Sequence, residues 1–278
     1  MIKYAVRSDM EGLTGVVAWE EVIPGGAPYY KAQEWLHAEL DALGRGLVAG
    51  GAEAVEIYDE HYYGLNVDAF RLPPKMCVVR GKPPYTSEWR GGIDSSFSGL
   101  ILQGYHAMWG CEGGILPHTY EPDIRAIFIN GKLVGEIGVE AAVAGDAGVP
   151  LVLIIGDKHG TEEASALIPG VETVVVKEGH GFHQGRCFAW TDLEQEILSK
   201  AKHLVKNPPA AKPLRFDGPV TFKVELNEGP YRERFWQDHR DLSEKEGMVS
   251  IQADSVTQAW ATYWAAKDDV LAKLKAQV

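Results

Sequence analysis

A short apolar run, Met1 to Val6, breaks at once into Ser8-Asp9-Met10-Glu11-Gly12, and this junction constrains the chain more than any other stretch. The run alternates as a buried strand does, so residues two apart share a side and Asp9 and Glu11 are expected to present their carboxylates together. Gly12 lets the backbone turn sharply. Both acids are then left at the strand's carboxyl end, the edge at which open α/β sheets bind ligands. Two clustered anionic groups there require protons, a cation or bulk water. Alone, an Asp-x-Glu is most simply a solvated acidic turn. This chain, however, also supplies His61, His106, His118 and Glu136 at or near the ends of further strands.

The rest of the chain alternates strand with helix. From Tyr29 to Gly50 the spacing predicts a helix, with Leu36, Leu40, Leu43 and Leu47 on one face and Gly50-Gly51 as its stop. A second strand, Ala52 to Tyr58, ends in Asp59-Glu60-His61. Met76 to Val79 reads as a short strand followed by a break over 81–84, and Ser98 to Tyr105 as a buried strand running directly into His106. A Gly-rich loop, Ala107 to Pro117, leads to His118. Asn130-Gly131 between two apolar runs is a hairpin signal, with Glu136 at the hairpin's end before a helical run, Val139 to Ala147.

Strands over Leu151–Ile155 and Val171–Val176 and a helix over Leu193–Val205 complete a predicted core, 1–207, that Pro208-Pro209 closes. The remainder, 208–278, has strands near Val220–Leu226 and Met248–Ala253. Its long terminal helix has Val256, Trp260, Tyr263, Trp264, Leu271 and Leu274 as an apolar stripe, read as core or subunit interface. The fold class expected is α/β: a mainly parallel sheet flanked by helices, with a smaller C-terminal α/β portion packed on it.

Composition excludes several functions. A formal net charge of −12 argues against nucleic acid and anionic membrane surfaces as partners. No stretch approaches the roughly 20 apolar residues that span a bilayer, and the N-terminus lacks a signal peptide's apolar core, so a cytoplasmic location is expected. The three cysteines, Cys77, Cys111 and Cys187, form no CxxC pair and indicate neither a disulfide framework nor a thiolate zinc site. Cys111, between His106 and His118, is read as a small loop residue.

Asp9, Glu11, His61, His106 and Glu136 are therefore five candidate ligands for one crevice. A carboxylate can bridge two cations while imidazole and single carboxylates complete each shell. Mixed His/Asp/Glu sets suit zinc or a neighbouring first-row metal and are poor calcium sites.

Several stretches in order resemble the DppA-type D-aminopeptidases, a family of dizinc metallopeptidases. They are Ser8-Asp9-Met10-Glu11-Gly12, Asp59-Glu60-His61, Gly104-Tyr105-His106-Ala107, Pro117-His118, Val134-Gly135-Glu136-Ile137-Gly138 and the Val149-Pro150 entry to the strand before Gly156-Asp157. The resemblance covers most of residues 1 to about 205. It implies two zinc ions per subunit bridged by Asp9, with Glu11 and His106 completing one site, His61 and Glu136 the other, and His118 as the catalytic histidine, described as the nucleophile. A histidine so placed serves equally as general acid or base.

The resemblance further implies hydrolysis of short peptides carrying a free N-terminal D-amino acid, and a homo-oligomer, a decamer enclosing the active sites. The chain departs from the family's pattern at Glu60, where a small Ser is more familiar. It also adds His159, His180 and His183, read as exposed loop residues bearing on substrate preference. Two other readings stand beside this one. The same scaffold could act on a non-peptide amide or ester, or the chain could be a non-catalytic module that binds metal or peptide.

Overall fold

The computed structural model describes residues 1–82, 86 and 92–276. Within the expected break over 81–84, Pro83 and Pro84 lie outside the described residues. The elements in chain order begin with β1 (Lys3–Ser8), α1 (Ala27–Gly50), β2 (Ala54–Asp59), β3 (Met76–Val79) and β4 (Gly99–Tyr105). Next come β5 (Ile124–Ile129), β6 (Lys132–Val134), α2 (Glu136–Asp146), β7 (Leu151–Asp157), α3 (Lys158–Leu167), β8 (Glu172–Gly181), β9 (Gln184–Cys187) and α4 (Trp190–Lys206). The chain closes with β10 (Val220–Leu226), α5 (Pro230–Asp238), β11 (Ser243–Lys245), β12 (Met248–Ala253) and α6 (Val256–Lys275).

Among the described residues, seven strands form one sheet in the order β3-β2-β1-β4-β7-β8-β9, parallel except for β9. Alternation along β1 sends Tyr4 and Val6 into a core shared with α1 and α4, and Ala5 to the opposite face with α2 and α3. Every residue of β4 and β7 is buried, as strands covered on both faces require. The expected class, a mainly parallel sheet flanked by helices, is what the chain adopts.

The second sheet, antiparallel in the order β11-β12-β10-β5-β6, was not legible as one unit. Its β5-β6 hairpin comes from inside the predicted 1–207 core and pairs with β10 of the C-terminal portion, Phe222 against Ile129 and Val224 against Ile127. The hairpin turn is at Asn130-Gly131, both with positive φ, as its sequence predicts. α2 is held between the two sheets. Ile137, Ala141 and Ala144 pack toward the parallel sheet, and Val139, Ala142 and Val143 toward the antiparallel one. The α6 stripe closes the second core, with Val256, Trp260 and Tyr263 buried and Trp264, Leu271 and Leu274 packed against them.

Chain order runs outward from β1 through β2 to β3, then reverses to β4 on β1's other side. β1 and β4 therefore flank a topological switch point, where the strands' carboxyl ends leave a crevice. Ser8 lies opposite Asp59 on one side and Gln103 on the other. The segments after β1, β2 and β4 thus emerge side by side.

Candidate metal centre

The chain leaves β1 at Ser8, so Asp9 and Glu11 stand on a turn and not in the strand that the alternation predicts. They still share a side because the turn is fastened to β4. Asp9 N donates to Gln103 O (2.9 Å) and Gly12 N to Gly104 O (2.7 Å). Gly104 has φ +76°, and a Cβ there would stand 2.0 Å from Asp9 O. Only glycine permits that approach. From below, the fully buried Lys177 donates to Glu11 O and Val16 O, both at 2.5 Å.

Each histidine is held by one ring nitrogen. His61 Nε2 donates to Val22 O (2.7 Å), which leaves Nδ1 facing Asp9 Oδ1 at 3.0 Å and Glu11 Oε2 at 3.2 Å. His106 Nδ1 donates to Ala107 O (3.0 Å), and its Nε2 stands 3.6 Å from both Asp9 Oδ2 and Glu136 Oε1. His118 Nδ1 donates to Leu116 O (2.9 Å), and its Nε2 lies 3.8 Å from Glu136 Oε1. A carbonyl only accepts, so each tether fixes the tautomer and turns the other nitrogen's lone pair inward, the arrangement seen around ligating histidines. Glu136 is the first residue of α2 and not a hairpin end. Its Oε1 accepts from Tyr120 N, and the helix N-terminus favours its charge.

All five candidate ligands and His118 therefore converge. Two trios have donor atoms within 4.8 Å of one another, Asp9-Glu11-His61 and His106-His118-Glu136, with Asp9 reaching both through its two oxygens. The pairing differs from the one implied by resemblance. Glu11 sits with His61, and His106 with Glu136. The sheet order explains this, since β2 flanks β1 on one side and β4, next to the start of α2, flanks it on the other.

The arrangement fits a bound cation. Glu11 Oε2 and His106 Nε2 are buried without a hydrogen-bond partner, and inward lone pairs face carboxylate oxygens. Uncompensated, such a cluster is costly. Burial works against charge on His61, yet Glu11 and Asp9 hold it well above its ordinary value. Burial likewise opposes charge on His106, but Glu136 and Asp9 push it up to about 10. Asp9 is raised by burial, and His106 and His61 beside it bring it well below the usual carboxylate range. Burial lifts Glu136 to about 8 against the pull of His106. His118 goes the other way, to about 4, through burial and then the charge of His106.

Asp9, Glu11, His61, His118 and Glu136 line a cavity of about 410 Å³. The D-aminopeptidase family model matches residues 2–265. The chain belongs to the D-aminopeptidase family. A curated D-aminopeptidase from Bacillus subtilis (strain 168) is 28% identical over 254 residues, covering 90% of each chain. The structure described as "Zn-dependent D-aminopeptidase DppA from Bacillus subtilis, a self-compartmentalizing protease" superposes with a TM-score of 0.89 at 24% identity, covering 97% of this chain and 98% of that one. At that identity the likeness is one of fold.

This D-aminopeptidase family member carries further site residues that sequence reasoning missed. Arg7, 1% exposed, stands 3.4 Å from Glu60 Oε1 and 3.2 Å from Glu140 Oε2, and Tyr120 Oη donates to Glu140 Oε1 (2.8 Å). Glu140 lies one helical turn beyond Glu136, the only sequence signal that pointed to it. Trp19 packs edge-on against His118, 5.2 Å between ring centres, and His106 stacks on His118 at 4.1 Å. Asp59 is absent from the ligand trios. Its oxygens accept from Asn66 N, Asn66 Nδ2 and Val67 N and so shape the loop carrying His61.

Outside the trios, His180 and His183 are exposed on the β8-β9 hairpin, while His159 is half-buried beside Gly113. Cys111 is a half-buried free thiol on the loop before His118. Among the described residues no helix is long and apolar enough to cross a membrane.

Proposed function

We propose that this chain is a zinc-dependent aminopeptidase that removes an N-terminal D-amino acid from short peptides. Asp9, Glu11 and His61 would hold one ion, and Asp9, His106 and Glu136 would hold another. The observation that carries this is the pair of adjacent trios, with Asp9 Oδ1 facing His61 and Asp9 Oδ2 facing His106, and buried atoms without a hydrogen-bond partner on Glu11 and His106. When bound, zinc supplies Lewis-acid polarisation of the scissile carbonyl and lowers the pKa of a coordinated water.

The chain's own residues supply the rest. His118 is tethered through Nδ1, lines the cavity and is neutral near pH 7, because burial and His106 pull it down to about 4. Its Nε2 lone pair therefore faces the substrate ready to take a proton, and a nucleophile requires the same lone pair. Glu60, at the wall of the cavity, shares the single guanidinium of Arg7 with Glu140. Burial and then Glu140 push Glu60 up to about 8 against the pull of Arg7 and Lys82, so an entering α-ammonium favours its charged form, and Glu60 is assigned to receive it. Peptides enclosed by a homo-oligomeric assembly, with a decamer as the expected form, and a cytoplasmic location complete the reading.

Elemental analysis of purified protein together with a matched panel of D- and L-dipeptides, amidated metabolites and esters tests it. Two equivalents of zinc and turnover confined to D-dipeptides are expected. Turnover of the esters or non-peptide amides in preference to dipeptides would overturn it.

A further inference from the structure

The cavity beside the trios holds more charge than metal ligation uses. Three cations bear on its lining, Lys82 directly and Arg7 and Lys267 through the lining carboxylates Glu60 and Glu121. Arg7 is committed to Glu60 and Glu140. Lys267, 5% exposed, donates to Glu121 Oε1 at 2.5 Å and lies over the Trp264 ring. Lys82 is the third. It lines the cavity and is half-buried, yet among the described residues no carboxylate lies within ion-pairing distance of it. It lines the same cavity as Glu60 and Glu121, and its charge is felt by both Glu60 and Lys267.

Lys82 is also held in place. Gly81 N donates to Gly64 O (2.8 Å) and Arg80 Nη2 to Leu65 O (3.1 Å), which fastens this segment to the loop that follows His61. Lys82 Nζ is not among the fully buried polar atoms, so it stays open to an anion that enters the cavity, and a charge-assisted hydrogen bond would complete it. Glu60 stands in the same wall but beyond ion-pairing reach of Lys82. The cavity thus presents an acid and a cation as separate poles.

We infer that Lys82 binds the C-terminal carboxylate of the substrate, which makes zwitterionic peptides short enough to reach from Glu60 to Lys82 the preferred class. This rests on the aminopeptidase reading and deepens it. A short free-acid peptide with its α-ammonium at Glu60 places its far carboxylate at Lys82. A C-terminal amide of the same length fills the cavity but leaves the ammonium uncompensated.

The test uses the full-length zinc-loaded protein, a D-dipeptide and its C-terminal amide, and the variants Lys82→Met and Lys82→Glu. Wild type should favour the free acid by roughly tenfold in kcat/KM at low salt, the scale of one charge-assisted hydrogen bond at a half-exposed site. The preference should shrink as salt rises. Lys82→Met should bring the acid-to-amide ratio close to one, chiefly through KM, and Lys82→Glu should invert it. Calorimetric titration with a reduced-amide dipeptide, whose scissile carbonyl is CH₂, should show the same ratios without turnover. An unchanged ratio in both variants, with zinc content and circular dichroism preserved, would overturn the assignment of Lys82 while leaving peptide hydrolysis intact. Absence of hydrolysis of every peptide by the zinc-loaded wild type would overturn the aminopeptidase reading itself, and with it the role given to Lys82.

Discussion

Replacing Gly104 with alanine perturbs the metal centre without touching a ligand. Gly104 sits at φ +76°, and an added Cβ would lie 2.0 Å from Asp9 O, where ordinary contact begins near 3.4 Å. The Asp9 turn and the end of β4 must therefore part by about 1.4 Å. The left-handed backbone costs about 1–2 kcal/mol with a Cβ present, and forced repacking of this kind costs about 1–3 kcal/mol more. At about 2–4 °C per kcal/mol for a chain somewhat smaller than this one, Tm should fall by roughly 4–20 °C.

Gly110→Ala is the control. It has φ +81° but no atom within 4 Å of the added Cβ, so it carries the backbone cost alone. Thermal melts with and without zinc, alongside elemental analysis, separate the two. Zinc should raise Tm of wild type and Gly110→Ala by a similar amount, and of Gly104→Ala by much less. A Gly104→Ala protein with wild-type Tm and full metal content would refute the argument that this approach positions Asp9.

Other substitutions address other links. His118→Ala should keep two equivalents of zinc and lose roughly 10²–10⁴-fold in turnover of D-dipeptides; a drop to one equivalent would make His118 a ligand. Lys177→Met leaves the buried Glu11 and Val16 carbonyls without their donor and should cost about 1–3 kcal/mol for each carbonyl in urea unfolding. A fragment ending at residue 207 strips β10 from the β5-β6 hairpin and opens the core beneath α6. It should be insoluble or inactive, and a soluble, active fragment would show that the C-terminal portion is dispensable.

The sequence made individual residues legible far better than their pairing. Strand ends announce themselves locally, so Asp9, His61 and His106 could be placed at one sheet edge from apolar runs and turn signals. Which of them face one another depends on strand order, and nothing local to β2 or β4 records that they flank β1 on opposite sides. The second sheet escaped for the same reason, since β5 meets β10 across about 90 residues. Lys177 and Arg7 lie within strands and read as ordinary charged positions; only the tertiary structure shows that both are buried beneath the site. The α6 stripe and the Asn130-Gly131 turn were legible because periodicity and turn chemistry are local.

The central claim is that one carboxylate, Asp9, joins two metal sites, and metal stoichiometry across three proteins tests it most directly. Wild type, Asp9→Ala and His61→Ala, purified and zinc-loaded identically and checked by circular dichroism, should hold two, no and one equivalents of zinc by elemental analysis. Two equivalents retained in Asp9→Ala would contradict the claim.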